Sequence, residues 1–264
     1  MDAFYEQVDT HRYLGTPATA GPWDPAAQHG GPPSALLAHV LERDTPPRPD
    51  LRLTRMTVEL LRPVPVGELD TTTRVLRSGR RTELLEAELS AGGVTVLRMT
   101  ASRVAAADGA APAVPEGVPA PPMPESGEPA FWSGAHLDGY MSSVEWRYAA
   151  GSVATPGPAA VWARPRLDLV AGRALAPVER ALLLADSGSG VGAALDIREW
   201  TFVNSDLTVL LHRHPAGEWV CLESATAIDS GGIGCAHTRL SDSGGSLGYG
   251  LQTLVVGGRG LPGR

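Results

Sequence analysis

Two distant stretches of the chain are versions of one another. Setting MTVELLRPVPVGEL (residues 56–69) over LTVLLHRHPAGEW (207–219) aligns Thr57 with Thr208, Val58 with Val209, Arg62 with Arg213 and, after one gap, Gly67-Glu68 with Gly217-Glu218. An offset of about 150 residues in a chain of 264 means that one structural unit occurs twice, so the architecture of one half constrains the other. Between the copies lies AAADGAAPAVPEGVPAPPMPESGEPA (105–130), with seven prolines, four acidic side chains and no aromatic residue. That composition favours an extended, semi-rigid spacer over packed structure. It divides the chain into residues 1–104 and 131–264, each of domain size.

The unit itself reads as a helix followed by strands. In LDTTTRVLRSGRRTELLEAEL a β-branched run of period two breaks at Ser78-Gly79 and resumes, as a hairpin does, with the arginines at 80 and 81 as a solvated tip. CLESATAIDSGGIGCAHTRL repeats the pattern around Ser230-Gly231-Gly232, and RRTELLEAELSAGGVTVLRMTAS and CAHTRLSDSGGSLGYGLQTLVV both read as strand, glycine turn, strand. Upstream of each strand set is a helical candidate rich in small residues, HGGPPSALLAHVLER in the first half and VERALLLADSGSGVGAAL in the second. The expectation is therefore α+β: one helix and an antiparallel meander of about four strands, twice. In such a double hotdog the two sheets join edge to edge into one layer around two central helices, which removes two exposed edges at once.

Charge and composition exclude several classes of function. Seven net negative charges and a pI near 5.5 give no electrostatic footprint for nucleic acid or an anionic membrane. All 22 basic residues are arginine, so no Schiff-base lysine and no lysine phosphate loop can exist. The N-terminus MDAFYEQVDTHRYLG has no secretory pattern and no stretch approaches twenty apolar residues, which makes the cytoplasm the expected location. Cys221 and Cys235 lack metal spacing and read as small core residues, and His39, His136, His212, His214 and His237 form no zinc motif, so no metal is expected.

The stretch LLLADSGSGVGAALD (182–196) is the chemical question, because an apolar run ends in a carboxylate, Asp186, and continues in small residues. A dinucleotide fingerprint fails, since Gly188, Gly190 and Gly192 give GxGxG and position 193 is alanine. A nucleophile elbow fails too, because neither Ser187 nor Ser189 lies between glycines at the required positions. Two readings of Asp186 remain: it caps a helix carried by residues 187–195, or it is a reactive group. The glycines likewise have a structural use, letting a helix lie close to a sheet.

The second half resembles the acyl-CoA thioesterase II family and its thioesterase-like relatives, which are double-hotdog proteins. The residues that carry the resemblance are LLLADSGSG (182–190), WTFVNSDLTVLLHR (200–213), PAGEWVCLES (215–224) and GLQTLVV (250–256), with weaker extension to HGGPPSALLAHVLE and LLRPVPVGEL in the first half. In that family an aspartate on the second central helix, a hydroxyl on the next strand and a glutamine on the last strand hold and activate a water. The resemblance places these roles on Asp186, Asn204 and Gln252. Asn204 stands where the family has a hydroxyl; an amide donates and accepts, and so can still hold a water.

Hydrolysis of a thioester needs a nucleophilic water, a base for its proton and donors for the developing oxyanion. On the roles the resemblance implies, Asp186 is expected to be the base, Gln252 and Asn204 to orient the water, and a helix N-terminus to offer backbone N–H groups to the oxyanion. No cofactor is required. The implied partner is an acyl-CoA or an acyl group on a carrier, and a homodimer or higher oligomer is compatible with the fold. His29, just before the Gly30-Gly31-Pro32-Pro33 helix start, is either a packing residue or, with Gly30 and Gly31, a contact to the substrate. Two other readings stay open: a hotdog dehydratase or hydratase pairing His29 with Asp186, and a non-catalytic acyl-thioester binder. The first helix has no carboxylate before Glu42, which implies one active site per chain.

Overall fold

The computed structural model describes residues 2–127, 135–152 and 154–259. The last three residues of the expected spacer and the first four of the expected second unit lie outside them. The first half contains strands β1 (Ala3–Gln7) and β2 (Arg12–Gly15), helix α1 (Gly31–Asp44), then β3 (Leu51–Leu60), β4 (Glu68–Ser78), β5 (Thr82–Ala91) and β6 (Val94–Ala105). The second runs β7 (Val144–Ser152), β8 (Thr155–Pro165), β9 (Asp168–Val170), α2 (Pro177–Ala185) and the single turn α3 (Gly188–Val191). It continues through β10 (Trp200–Asn204), β11 (Asp206–Leu211), β12 (Val220–Ile228), β13 (Ile233–Asp242) and β14 (Gly245–Gly258).

These strands form one sheet in the order β7-β8-β12-β13-β14-β11-β3-β6-β5-β4-β2-β1-β9, with β10 also on β14. The fold is a double hotdog. Its seam is the β11–β3 pair, whose antiparallel register sets Thr208 opposite Thr57, the same two residues that the repeat aligns. Antiparallel neighbours related by a two-fold axis must meet at the residue on the axis, so the pseudo-symmetry passes between these threonines, whose hydroxyls lie 3.3 Å apart. The order is symmetric outward from there: β11, β14, β13, β12, β8 and β7 mirror β3, β6, β5, β4, β2 and β1. Even irregularities repeat. The register of β3 shifts between Leu53 and Arg55, around Thr54, and the break between β10 and β11 falls at Ser205, 151 positions later.

Two features differ from the sequence reading. Each unit opens with a hairpin ahead of its helix, β1–β2 and β7–β8. The four following strands are not a simple meander, because β3 and β11 cross over to pair beside the last strand of their unit. The sheet also curls. β8 ends at Pro165 and β9 begins at Asp168, yet β9 pairs with β1 at the opposite end, so roughly 11 Å of chain spans the two ends. Inside this wrap α1 and α2 lie together on inward-facing residues such as Leu53, Met56, Val58, Leu207 and Val209, which form the main core.

The proline-rich segment has no helix or strand over 106–127 and is hydrogen-bonded to the rest of the protein. It lies on the outer face of the second half: Arg239 donates to the carbonyls of Val118 and Pro119, Trp162 Nε1 to that of Pro121 at 3.0 Å, and Arg147 to that of Pro124 at 3.1 Å. Trp162 pairs with Cys221 across β8 and β12, and both are buried on this outer side. Cys235, read as a core residue, is exposed.

Candidate active site

Helix α2 begins at Pro177, and the Glu179 carboxylate accepts the Ala176 N–H at 2.8 Å. Its apolar run Leu182-Leu183-Leu184-Ala185 is fully buried between α1 and the sheet. Asp186 therefore ends α2; it does not begin the next helix. The turn α3 starts after Ser187 without any side-chain cap bond, so the capping reading of Asp186 does not hold. The following glycines serve a close approach to the sheet: a Cβ on Gly188 would stand 2.1 Å from Thr238 Oγ1.

The strands carry the partners. On β14, positions 250, 252 and 254 face inward, which places the polar Gln252 among apolar neighbours directly under Asp186. Gln252 Nε2 donates to the Asp186 backbone carbonyl at 3.0 Å and to Oδ1 at 3.3 Å, and its Oε1 accepts the Ser189 N–H at 2.9 Å. Both N–H bonds of this amide are thus spent on the protein. Asn204 closes β10 just before the break at Ser205, a type of irregularity that re-aims side chains beside active sites. Its Nδ2 donates to Asp186 Oδ1 at 2.8 Å and to the Asp206 carbonyl at 3.1 Å. Since both partners only accept, the amide orientation is fixed and only its oxygen is left for another molecule.

The other carboxylate oxygen faces α1. His29 Nδ1 lies 3.1 Å from Asp186 Oδ2 and also 3.1 Å from the Gly31 N–H, which donates to it. The His29 ring stacks on Tyr140 at 3.8 Å between centroids and 8° between planes. Tyr140 in turn hydrogen-bonds Leu183 O at 2.9 Å and Ser187 Oγ at 2.8 Å, and burial raises its pKa far above that of a free phenol. Burial also pushes the His29 pKa below its usual 6.5, against the opposing pull of Asp186, which favours the neutral imidazole. The glycines after His29 are required by proximity. A Cβ on Gly30 would lie 2.8 Å from Asp186 Oδ2, and one on Gly31 would lie 2.1 Å from Leu183 O.

His29, Gly30, Asp186 and Asn204 open onto a cavity of about 480 Å³, within the usual size of small-molecule sites. Its walls are mostly apolar, with Met141, Trp146, Tyr148, Phe202 and Val191 among them. Of the six residues singled out from sequence, four reach this cavity, while Gln252 lies behind Asp186 and Gly31 lies against α2. Sequence reasoning missed Tyr140 and the serines at 187 and 189. Tyr140 lies in LDGYMSSVEW, which carries no motif that would have marked it.

The family model for the acyl-CoA thioesterase C-terminal domain matches residues 115–256, and that for the N-terminal domain matches residues 19–104. The chain belongs to the acyl-CoA thioesterase family. It is a thioester hydrolase. Solved structures agree on the fold over nearly the whole chain. A candidate thioesterase from Novosphingobium aromaticivorans has a TM-score of 0.75 and 20% identity, covering 96% of this chain and 98% of that one. An acyl-CoA thioesterase II from Mycobacterium marinum has a TM-score of 0.68 and 15% identity, covering 98% and 97%. A conserved hot dog protein of unknown function from Alicyclobacillus acidocaldarius has a TM-score of 0.68 and 17% identity, covering 97% and 96%. No protein of curated function matches the sequence. Among the described residues of this thioesterase, no helix is long and apolar enough to cross a membrane.

Proposed function

We propose that the cavity hydrolyses acyl-CoA through a water activated by Asp186. The observation that carries this reading is the division of labour within one buried carboxylate. Oδ1 is held by Asn204 and Gln252, while Oδ2 lies 3.1 Å from His29 Nδ1, and the residue lines the cavity. A water at Oδ2 attacks the thioester carbon as its proton passes to Asp186, and the tetrahedral oxyanion collapses by expelling the thiolate. The thiolate takes the proton from Asp186, leaving a carboxylic acid and free CoA. Because Gln252 spends both N–H bonds on the residue and backbone of Asp186, it positions the base and does not hold the water. Asn204 does the same with its amide nitrogen and offers its oxygen to a water proton.

His29 completes the set. With the Gly31 N–H donating to Nδ1, the neutral ring carries its hydrogen on Nε2, which is the donor available to the carbonyl oxygen of the substrate. Nδ1, 3.1 Å from Oδ2, accepts from the carboxyl once Asp186 has taken the proton. Helix α1 contributes little to the oxyanion, since the Gly31 N–H is used and the next two residues are prolines. Thioesters of CoA and of a carrier protein present the same reacting group, and CoA is the simpler donor for this family. Free-thiol detection with purified protein and a panel of acyl-CoAs tests the reading: steady thiol release supports it, and none across the panel defeats it.

The His29–Asp186 contact also keeps a second reading, hydration or dehydration of an acyl thioester by that pair. The same panel separates them, because an enoyl-CoA would lose its conjugated absorbance without releasing thiol.

A further inference from the structure

The cavity lining is unevenly exposed: Asp24, Leu61, Arg62, Val203 and Val255 are exposed, whereas Met141 and Trp146 are buried, each at 5% of full exposure. An apolar acyl chain gains by entering the buried part, and the amides of a pantetheine arm lose unless they stay near water or find partners. With the reacting carbonyl beside Asp186, the acyl group extends inward over Trp146 and Tyr148 while the carrier arm leaves past Arg62. This placement rests on Asp186 being the hydrolytic base.

Further along β7 there is a second hollow. Trp146 and Tyr148 of that strand line the main cavity, and Ser152 at its end lines the hollow together with Pro156, Leu195 and Ile197. The hollow holds about 30 Å³ and is too small to be a site by itself. The two spaces have Gly190, Val191 and Phe202 in common, so these residues are the partition between them. The partition is firmly held. Phe202 is buried with Ala236 and Leu254 and meets Trp23 edge-on at 5.1 Å, and Val191 closes α3 at 4% exposure.

We propose that Phe202 and Val191 form the end wall of the acyl pocket and restrict this thioesterase to short and medium acyl chains. The aromatic side wall is equally fixed at Trp146, whose Nε1 donates to Met141 O at 3.0 Å and whose ring meets Tyr140 behind it at 6.2 Å between centroids, so a long chain cannot be accommodated by its yielding. The experiment is a chain-length profile of kcat/KM for butanoyl-, octanoyl- and palmitoyl-CoA with wild type, Phe202→Ala and Val191→Ala. Wild type should hydrolyse palmitoyl-CoA at least about tenfold less efficiently than the better of the shorter substrates, since even one methylene beyond a hydrophobic pocket costs roughly that factor. Each variant joins the two spaces and should raise the palmitoyl-to-butanoyl ratio of kcat/KM by about tenfold. A wild-type preference for palmitoyl-CoA, or an unchanged ratio in both variants, overturns the assignment. Failure to release thiol from any substrate instead removes the hydrolytic reading itself.

Discussion

At the scale of single residues the site is one carboxylate with a separate set of neighbours for each oxygen. His29 ties this arrangement to pH. Its folded pKa lies below the 6.5 of the free side chain because burial penalises the imidazolium. At pH above that value both folded and unfolded forms are neutral, and the associated stability is fully present; as pH falls toward the folded value, the unfolded chain takes the proton first and stability is lost. Thermal melts across that range should show the loss in wild type and a smaller one in His29→Phe, which keeps a ring on Tyr140 but cannot titrate. An equal slope in both would remove His29 as the source. Asp186 was noticeable in the sequence because it ends the apolar run LLLAD, whereas Gln252 was singled out only through the family resemblance carried by GLQTLVV. The stacking of Tyr140 on His29 was not legible, since it depends on two loops far apart in the chain meeting in space.

At the scale of elements, α1 and α2 touch through bare backbone. Alanine at position 31 would gain up to about 1 kcal/mol of helix propensity over glycine. Its Cβ, however, would stand 2.1 Å from the Leu183 carbonyl oxygen, which belongs to a packed helix and cannot swing away. Overpacking of this kind costs about 1–3 kcal/mol, so steric repulsion wins and Gly31→Ala should unfold at lower denaturant with reduced turnover as His29 moves off Asp186. A variant as stable and active as wild type would contradict the helix contact. Hairpins were readable where glycine turns join neighbouring strands, as in β4–β5 and β12–β13. The crossovers of β3 and β11 were not, because turn chemistry specifies adjacent pairs and says nothing of a strand that travels to the far side of its unit.

At the scale of the molecule, the pseudo-two-fold that repeats the fold does not repeat the chemistry. The 151-residue shift that brings Thr57 onto Thr208 carries Asn204 back to Leu53 and Gln252 back to Ala101, both buried and apolar. The corresponding place in the first half is packed core, and the proposed mechanism therefore predicts one active site per chain. Calorimetric titration with a non-hydrolysable acyl-CoA analogue should give one site per chain, and two equivalent sites would be incompatible with this asymmetry. The repeat announced the duplication from the sequence alone. It could not announce that the sheet curls until β9 meets β1, since that closure depends on the accumulated twist of many strands.

The central claim is that Asp186 is the base that activates water. Asparagine at this position keeps the shape of the side chain and an oxygen for Asn204, yet cannot take a proton at neutral pH. Turnover of octanoyl-CoA by Asp186→Asn, measured by thiol release alongside a thermal melt of the same preparation, should fall by roughly two to four orders of magnitude with the melting temperature little changed. Near-full activity in a folded Asp186→Asn protein would contradict the account.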